Sequence, residues 1–305
     1  MLMAASTDSS ITLYRVRDWI LLRSLKGHKG RVNSVDAHPA GRVALSVGQD
    51  KMLRMWDLVA GKAVSTMKLG VEGDVVRWNT DGTKLAVICG NQLTVYGIDM
   101  TVLHALSGPS RFHDVQFTYY PLDKQDETQS EYMLVACEDG KTRVFDIANP
   151  SVHEDDEEDE EATTTLEPVA LLTGHKSRVK MLDVLEVARP DQPTSTIAVV
   201  SASSDGFINV YDLAPVANAA GSQDAVEVEI EPSGQYDTDG SRLTCVNAIG
   251  IADSQLFSSQ RATGDDEDSE QSTDEEDDED DEDDEDESEG DGEEIDQQEL
   301  EEESE

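Results

Sequence analysis

Cysteine is scarce in this chain of 305 residues. Cys89, Cys137 and Cys245 are odd in number, far apart, and without a Cys or His partner at metal-ligand spacing. That excludes a disulfide framework or a zinc site as the basis of the fold, and the expectation is reduced core thiols in an intracellular protein. Long apolar runs are missing too. LAVIC at 85–89 is strand length, against the ~20 residues a membrane span needs, so no membrane partner is expected. The opening MLMAASTDSS has no basic stretch and no long apolar core, and reads as carrying no secretion signal. There is no nucleophile-elbow sequence, no phosphate-binding Gly loop, no metal-ligand cluster and no Lys/Arg cluster of the import-signal type. Catalytic residues, metals and cofactors are therefore expected to be absent.

Basic residues are outnumbered, 23 Lys and Arg against 67 Asp and Glu, for a net charge of −44. Its location matters more than its size. Residues 264–305 hold 29 acids and no Lys or Arg, so residues 1–263 carry −15, and the unbroken run Glu154–Glu161 accounts for eight of that. The remaining body, at −7, is mildly acidic. Neither acidic run can bury enough apolar surface to offset its ordering entropy. The expected organisation is a folded domain over 1–258 with a disordered acidic loop at 151–165, followed by a disordered acidic tail over 259–305. Such a tail repels nucleic acid and suits basic proteins.

What is present is repetition. SSITLYRV, DKMLRMWDL, NQLTVYGI, DGKTRVFDI and DGFINVYDL place Tyr14, Trp56, Tyr96, Phe145 and Tyr211 at matching points, at intervals of 42, 40, 49 and 66 residues. The last interval is stretched by the acidic insertion. A period in the low forties made of short apolar alternations marks a four-stranded unit, the blade of a β-propeller. Turn residues divide residues 20–58 into four strands, and the same order recurs at 62–99, 101–147 and 169–213. Two partial units remain: LMAASTDSSITLYRV at the start, and AVEVEIE with RLTCVNAIG at the end. The fold class is an all-β propeller of four full blades and two partial ones. An open set leaves sheet edges uncovered, which reads as an N-terminally shortened form of a seven-bladed parent, with closure by pairing of the two ends as the alternative.

Two recurrences stand out among the polar residues. His28, Ser46 and Asp50 form the residue set of a hydrolytic triad, yet they recur with Trp56 as His175, Ser201 and Asp205 with Tyr211. A catalytic triad has no reason to occur twice at one blade position, so each set is expected to be a buried hydrogen-bond chain, and the esterase reading is rejected. His38, His104, His113 and His153 are scattered and read as surface or packing residues. The second recurrence is an Arg just before the first strand of a blade: Arg31, Arg111, Arg178 and Arg242, with Lys29 and Lys176 two residues ahead of the first and third, and Asp74 in the intervening unit. Superposed blades would put four guanidinium groups in a partial ring on one face, suited to carboxylate or phosphate. Alternatively, each Arg pairs with an acidic turn residue of the neighbouring blade.

With Gly27-His28 and Trp56-Asp57, LKGHKGRVNSVDAHPAGRVALSVGQDKMLRMWDLVAGK resembles the WD-repeat superfamily. Together with VVSASSDGFINVYDL and RLTCV it resembles the p21-activated kinase interacting protein family over most of residues 1–250. The resemblance implies a non-enzymatic scaffold of the nucleus and nucleolus that binds pre-ribosomal large-subunit proteins, and by its Arg face pre-rRNA phosphates. Animal members are also described as inhibitors of a p21-activated kinase, which makes regulation of such a kinase the alternative. The chain departs from the family in lacking about two blades at its start and in ending with an acidic rather than a Lys-rich tail.

Overall fold

A computed structural model of the chain describes residues 1–120, 129–149, 166–188, 195–219 and 228–250. They belong to one compact unit, Met1–Ala252. The expected acidic loop at 151–165, the acidic tail and His153 lie outside the described residues.

Five antiparallel sheets follow one another along the chain. Sheet one is β1 (Leu2–Ala5), β2 (Ser10–Arg15) and β3 (Ile20–Lys26); sheet two is β4 (Val32–Ala37), β5 (Val43–Gly48), β6 (Met52–Asp57) and β7 (Lys62–Lys68). Sheet three is β8 (Val75–Trp78), β9 (Lys84–Cys89), β10 (Gln92–Gly97) and β11 (Val102–Ser107). Sheet four comprises β12 (Phe112–Tyr120), β13 (Ser130–Cys137), β14 (Thr142–Asp146) and β15 (Pro168–Leu172). Sheet five starts with β16 (Val179–Val187), β17 (Thr196–Ser203) and β18 (Phe207–Asp212). The short helix α1 (Ala214–Ala219) then leads to β19 (Val228–Ile230) and β20 (Gly234–Asp237).

Tyr14, Trp56, Tyr96, Phe145 and Tyr211 each stand one residue before the end of the third strand of a sheet, or of β2 in the three-stranded one. Successive sheets touch through β1, β4, β8, β12 and β16, their innermost strands, which is the radial arrangement of a propeller. Four apolar layers fill the gaps between sheets. In sheets two, three and four the second strand serves two of them, because its side chains alternate faces. Ala44 packs toward sheet one with Ile11, Leu13 and Trp56, while Leu45 and Val47 pack toward sheet three with Val76, Trp78 and Leu85.

The blade boundaries differ from the sequence units by one strand. Ile20–Lys26 does not begin the sheet containing Trp56; it is the outer strand of sheet one, paired with Ser10–Arg15. The reason is the length of the connections. The turn at 16–19 is short enough only for a hairpin, whereas Gly27–Arg31 carries the chain from the outside of one sheet to the inside of the next. Each unit read from the sequence therefore straddles two sheets.

The chain's last described part also corrects expectation. AVEVEIE supplies β19, a fifth strand lying parallel to β15, and Gly234–Asp237 becomes the outer strand β20 of sheet five. The segment RLTCVNAIG is not a strand: residues 241–250 have no ladder partner and are held to the inner strand β16 by the Ala248 amide, which donates to Asp183 Oδ2 at 2.6 Å. A strand requires a hydrogen-bonded neighbour, and none is placed there among the described residues. Cys245 sits on this segment and is exposed, unlike buried Cys137 and half-buried Cys89, so it is not the expected core thiol.

Candidate functional site

The first polar set closes as one chain of hydrogen bonds. Trp56 Nε1 donates to Ser46 Oγ at 2.7 Å, Ser46 Oγ lies 2.7 Å from His28 Nε2, and His28 Nδ1 lies 2.8 Å from Asp50 Oδ1. Only one proton arrangement satisfies every atom. Indole donates to hydroxyl, hydroxyl donates to Nε2, and Nδ1–H donates to the carboxylate. Burial pushes the His28 pKa down despite the opposing Asp50 charge, which keeps the ring neutral as this arrangement requires. Burial works against the Asp50 charge, but the Lys29 amide and His28 outweigh it and hold the carboxyl below its usual range. The turn at Gly27–Arg31 is thereby tied to the neighbouring turn at Asp50 and to the buried centre of sheet two.

The second set has the same geometry with looser ends. His175 Nε2 is 2.7 Å from Ser201 Oγ, and His175 Nδ1 is 3.2 Å from Asp205 Oδ2. Tyr211 does not simply stand in for the indole: its hydroxyl donates to the Thr173 carbonyl at 2.7 Å and accepts from Asn209, with Ser201 also within hydrogen-bonding reach. Ser46 and Ser201 are both fully buried, so no substrate reaches either hydroxyl. Buried as they are, these sets act as struts. His38 has a comparable role between blades, stacking edge-on to Trp78 at 4.8 Å and bonding to the Gly82 carbonyl.

Arg31, Arg111 and Arg178 lie at the entry to the inner strands β4, β12 and β16, where both sequence alternatives meet. Arg242 precedes no strand, because residues 241–250 have no ladder partner, and so departs from the expected position. Arg31 reaches Glu72 of the next linker at 3.3 Å and Asn33 at 2.7 Å. Arg111 pairs with Asp74 at 2.6 Å, and Arg178 with Glu138 at 3.4 Å. Each pairing crosses from one blade to its neighbour. The side chains of Arg31 and Arg111 nevertheless stay more than half exposed. With Glu72, Asp74, Cys89 and Gly90 they line one open cleft of about 450 Å³.

Beyond Arg111 the balance of charge tips. Burial pushes the Lys180 pKa down, and the charges of Arg178, Arg242 and Arg111 push it further, with Glu138 opposing. The charges of three recurrent arginines therefore act on Lys180, and the Glu138 carboxylate that opposes them is contacted by Arg178 and His113. Lys180 and His113 were not singled out in the sequence as members of this face. The signal was available, since both follow the Arg–apolar pair of their blades, but only the curvature of the inner strands turns them toward the same rim. Lys29 and Lys176 sit differently: their amides donate to Asp50 and Asp205, and their exposed side chains form no ion pair among the described residues. Among the described residues no group of three or more His, Cys, Asp or Glu is placed to hold a metal, and no helix is long and apolar enough to cross a membrane.

Radial blades of antiparallel strands, two of them tied by Ser–His–Asp hydrogen-bond chains, define a WD-repeat β-propeller, a scaffold class. The family model described as WD domain, G-beta repeat matches residues 19–57, the stretch that holds the first strut. The p21-activated protein kinase-interacting protein 1-like of Xenopus laevis is 28% identical over 249 residues, covering 81% of this chain and 57% of the relative. Protein MAK11 of Saccharomyces cerevisiae is 26% identical over 223 residues, 70% of this chain and 51% of the relative. The Shk1 kinase-binding protein 15 of Schizosaccharomyces pombe is 25% identical over 214 residues, 69% and 51%. The chain spans about half the length of the curated relatives it matches. Among WD-repeat proteins, the chain is thus similar to the p21-activated kinase interacting proteins.

Proposed function

We propose that this chain is a non-enzymatic scaffold in biogenesis of the large ribosomal subunit, working in the nucleus and nucleolus and holding pre-ribosomal proteins or particles on its Arg-bearing rim. The observation that carries the contact is the row of cross-blade pairs Arg31–Glu72, Arg111–Asp74 and Arg178–Glu138, in which the guanidinium groups of Arg31 and Arg111 stay more than half exposed and to which Lys180 adds a further cation. A cation surplus on an acidic body selects carboxylate or phosphate, either on a protein or on pre-rRNA. The process is supported by the family resemblance and by the likeness to the yeast relative. The acidic tail adds affinity for basic proteins.

A second reading, negative regulation of a p21-activated kinase, is favoured by the relatives whose names are those of kinase-interacting and kinase-binding proteins. Gradient sedimentation of the tagged chain separates the two. Migration with large pre-subunit particles is expected, whereas a wholly free pool that co-purifies with the kinase favours regulation. Replacing Arg111, Arg178 and Lys180 together by Glu should abolish co-sedimentation while the far-ultraviolet circular dichroism stays that of the parent. Unchanged co-sedimentation would remove the rim from the contact.

A further inference from the structure

In four of the five sheets the outer strand pairs with the strand inside it through a β-bulge at the repeated aromatic; the β18–β20 pairing of sheet five has no such shift. The register shifts between Leu13 and Tyr14, Met55 and Trp56, Val95 and Tyr96, and Val144 and Phe145. Each shift leaves one apolar outer-strand residue without a cross-strand partner: Leu22, Val64, Leu103 and Val169. Leu22, Val64 and Leu103 are exposed; Val169 is packed against a buried cluster that includes Ile230. The difference is β19. It adds to the outer edge of β15 in register Ala170 with Val228, Leu171 with Glu229 and Leu172 with Ile230, and there the outer strand is buried. This fold thus already accepts an extra parallel strand of apolar–acidic–apolar sequence on an outer edge.

The edge of β3 is uncovered and differs from those of β7 and β11. Five consecutive residues, Ile20–Ser24, are exposed, three of them large and apolar. Trp19, in the turn before them, is 66% exposed and held at φ 57°, a conformation that disfavours a bulky side chain. An exposed apolar edge strand is a template for pairing. Its charge is specific as well: Arg17, Arg23 and Lys26 flank it and form no ion pair within 4 Å among the described residues, Arg23 and Lys26 acting only at longer range on Asp57 and Asp8, whereas Arg15 is matched directly by Asp18.

We infer that the free edge of β3 is a docking site for an extended segment of a partner protein in which apolar and acidic residues alternate, added as a fourth strand to sheet one. Main-chain hydrogen bonds to the edge supply affinity, Ile20, Leu21 and Leu22 take the apolar side chains, and the three flanking cations select the acidic ones. The site lies on the outside of the blade, so it is independent of the rim and of what the rim binds.

Fluorescence anisotropy with the full chain tests this, using a labelled synthetic peptide with the sequence of residues 225–232, AVEVEIEP, and a control with its Glu residues replaced by Lys. The acidic peptide should bind, more weakly at high salt, and the Lys peptide should not. Leu21→Glu, at a half-exposed position, should weaken binding at least ~tenfold, as should Arg17→Glu combined with Arg23→Glu. Val64→Glu on the β7 edge should leave it unchanged, with melting curves confirming that the variants fold. Binding indifferent to Leu21→Glu would place the peptide elsewhere, the β15 edge included, and overturn the inference. So would equal binding of the Lys peptide, or a single-stranded RNA oligonucleotide that binds more tightly and responds only to the Arg variants.

Discussion

At the scale of single residues, the two struts make a controlled comparison inside one molecule. Ser46 serves two buried partners, Trp56 Nε1 and His28 Nε2. Ser201 serves His175, while the Tyr211 hydroxyl is already satisfied by Thr173 and Asn209. Removing a hydroxyl leaves the partners that depended on it without water, at about 1–3 kcal/mol for each buried group. Ser46→Ala should therefore destabilise the chain by more than Ser201→Ala, the gap being about one such group. Urea unfolding of the three proteins measures it, and equal losses would contradict the proton arrangement derived above. The identities of both struts were legible in the sequence because the residues recur. The altered ending of the second was not, since how the Tyr211 hydroxyl is shared among Thr173, Asn209 and Ser201 is decided by fractions of an ångström in its position rather than by residue type.

At the scale of elements, the strands themselves could be read from their alternation and turns, but not which sheet each outer strand joins. Ile20–Lys26 shows the limit. Its composition fits either neighbour, and only the lengths of its two connections decide. The pairings of the arginines were similarly open, because Arg31 and Glu72 are 41 residues apart and meet only once two blades are in contact. One element makes that meeting possible. At Gly48, the end of β5, a Cβ would stand 2.4 Å from the Arg31 carbonyl oxygen, the same oxygen that accepts from the Gln49 amide. Both clashing groups are backbone, so relief requires moving the start of β4 and with it the guanidinium of Arg31. Gly48→Ala should cost on the order of 1–3 kcal/mol, as overpacking does, and lower the melting temperature. A wild-type melting curve would show that the inner strands yield more easily than the contact implies.

At the scale of the whole molecule, pH sums the buried groups. His28, His104, His113 and His175 all have pKa values lowered from 6.5, in each case by burial first. Below 6.5 the unfolded chain binds protons that the folded one refuses, so stability is fully present above that value and falls as pH drops toward the folded pKa values. For His28 the cost has a structural form: a protonated ring donates from Nε2, Ser46 must accept from both sides, and its own proton is left buried without an acceptor. Asp36 and Asp114 oppose this trend. Burial raises both, with Arg77 partly offsetting, so the folded state takes up their protons before the unfolded state does, and acidification there favours folding. Four histidines of one sign against two carboxylates of the other predict a net loss of urea resistance from about pH 7 to about pH 5. Asp36→Asn combined with Asp114→Asn removes the opposing contribution and should make the decline steeper, whatever it does to stability at neutral pH. A decline that becomes shallower in that variant would mean that the carboxylates, rather than the histidines, carry the acid sensitivity of this propeller.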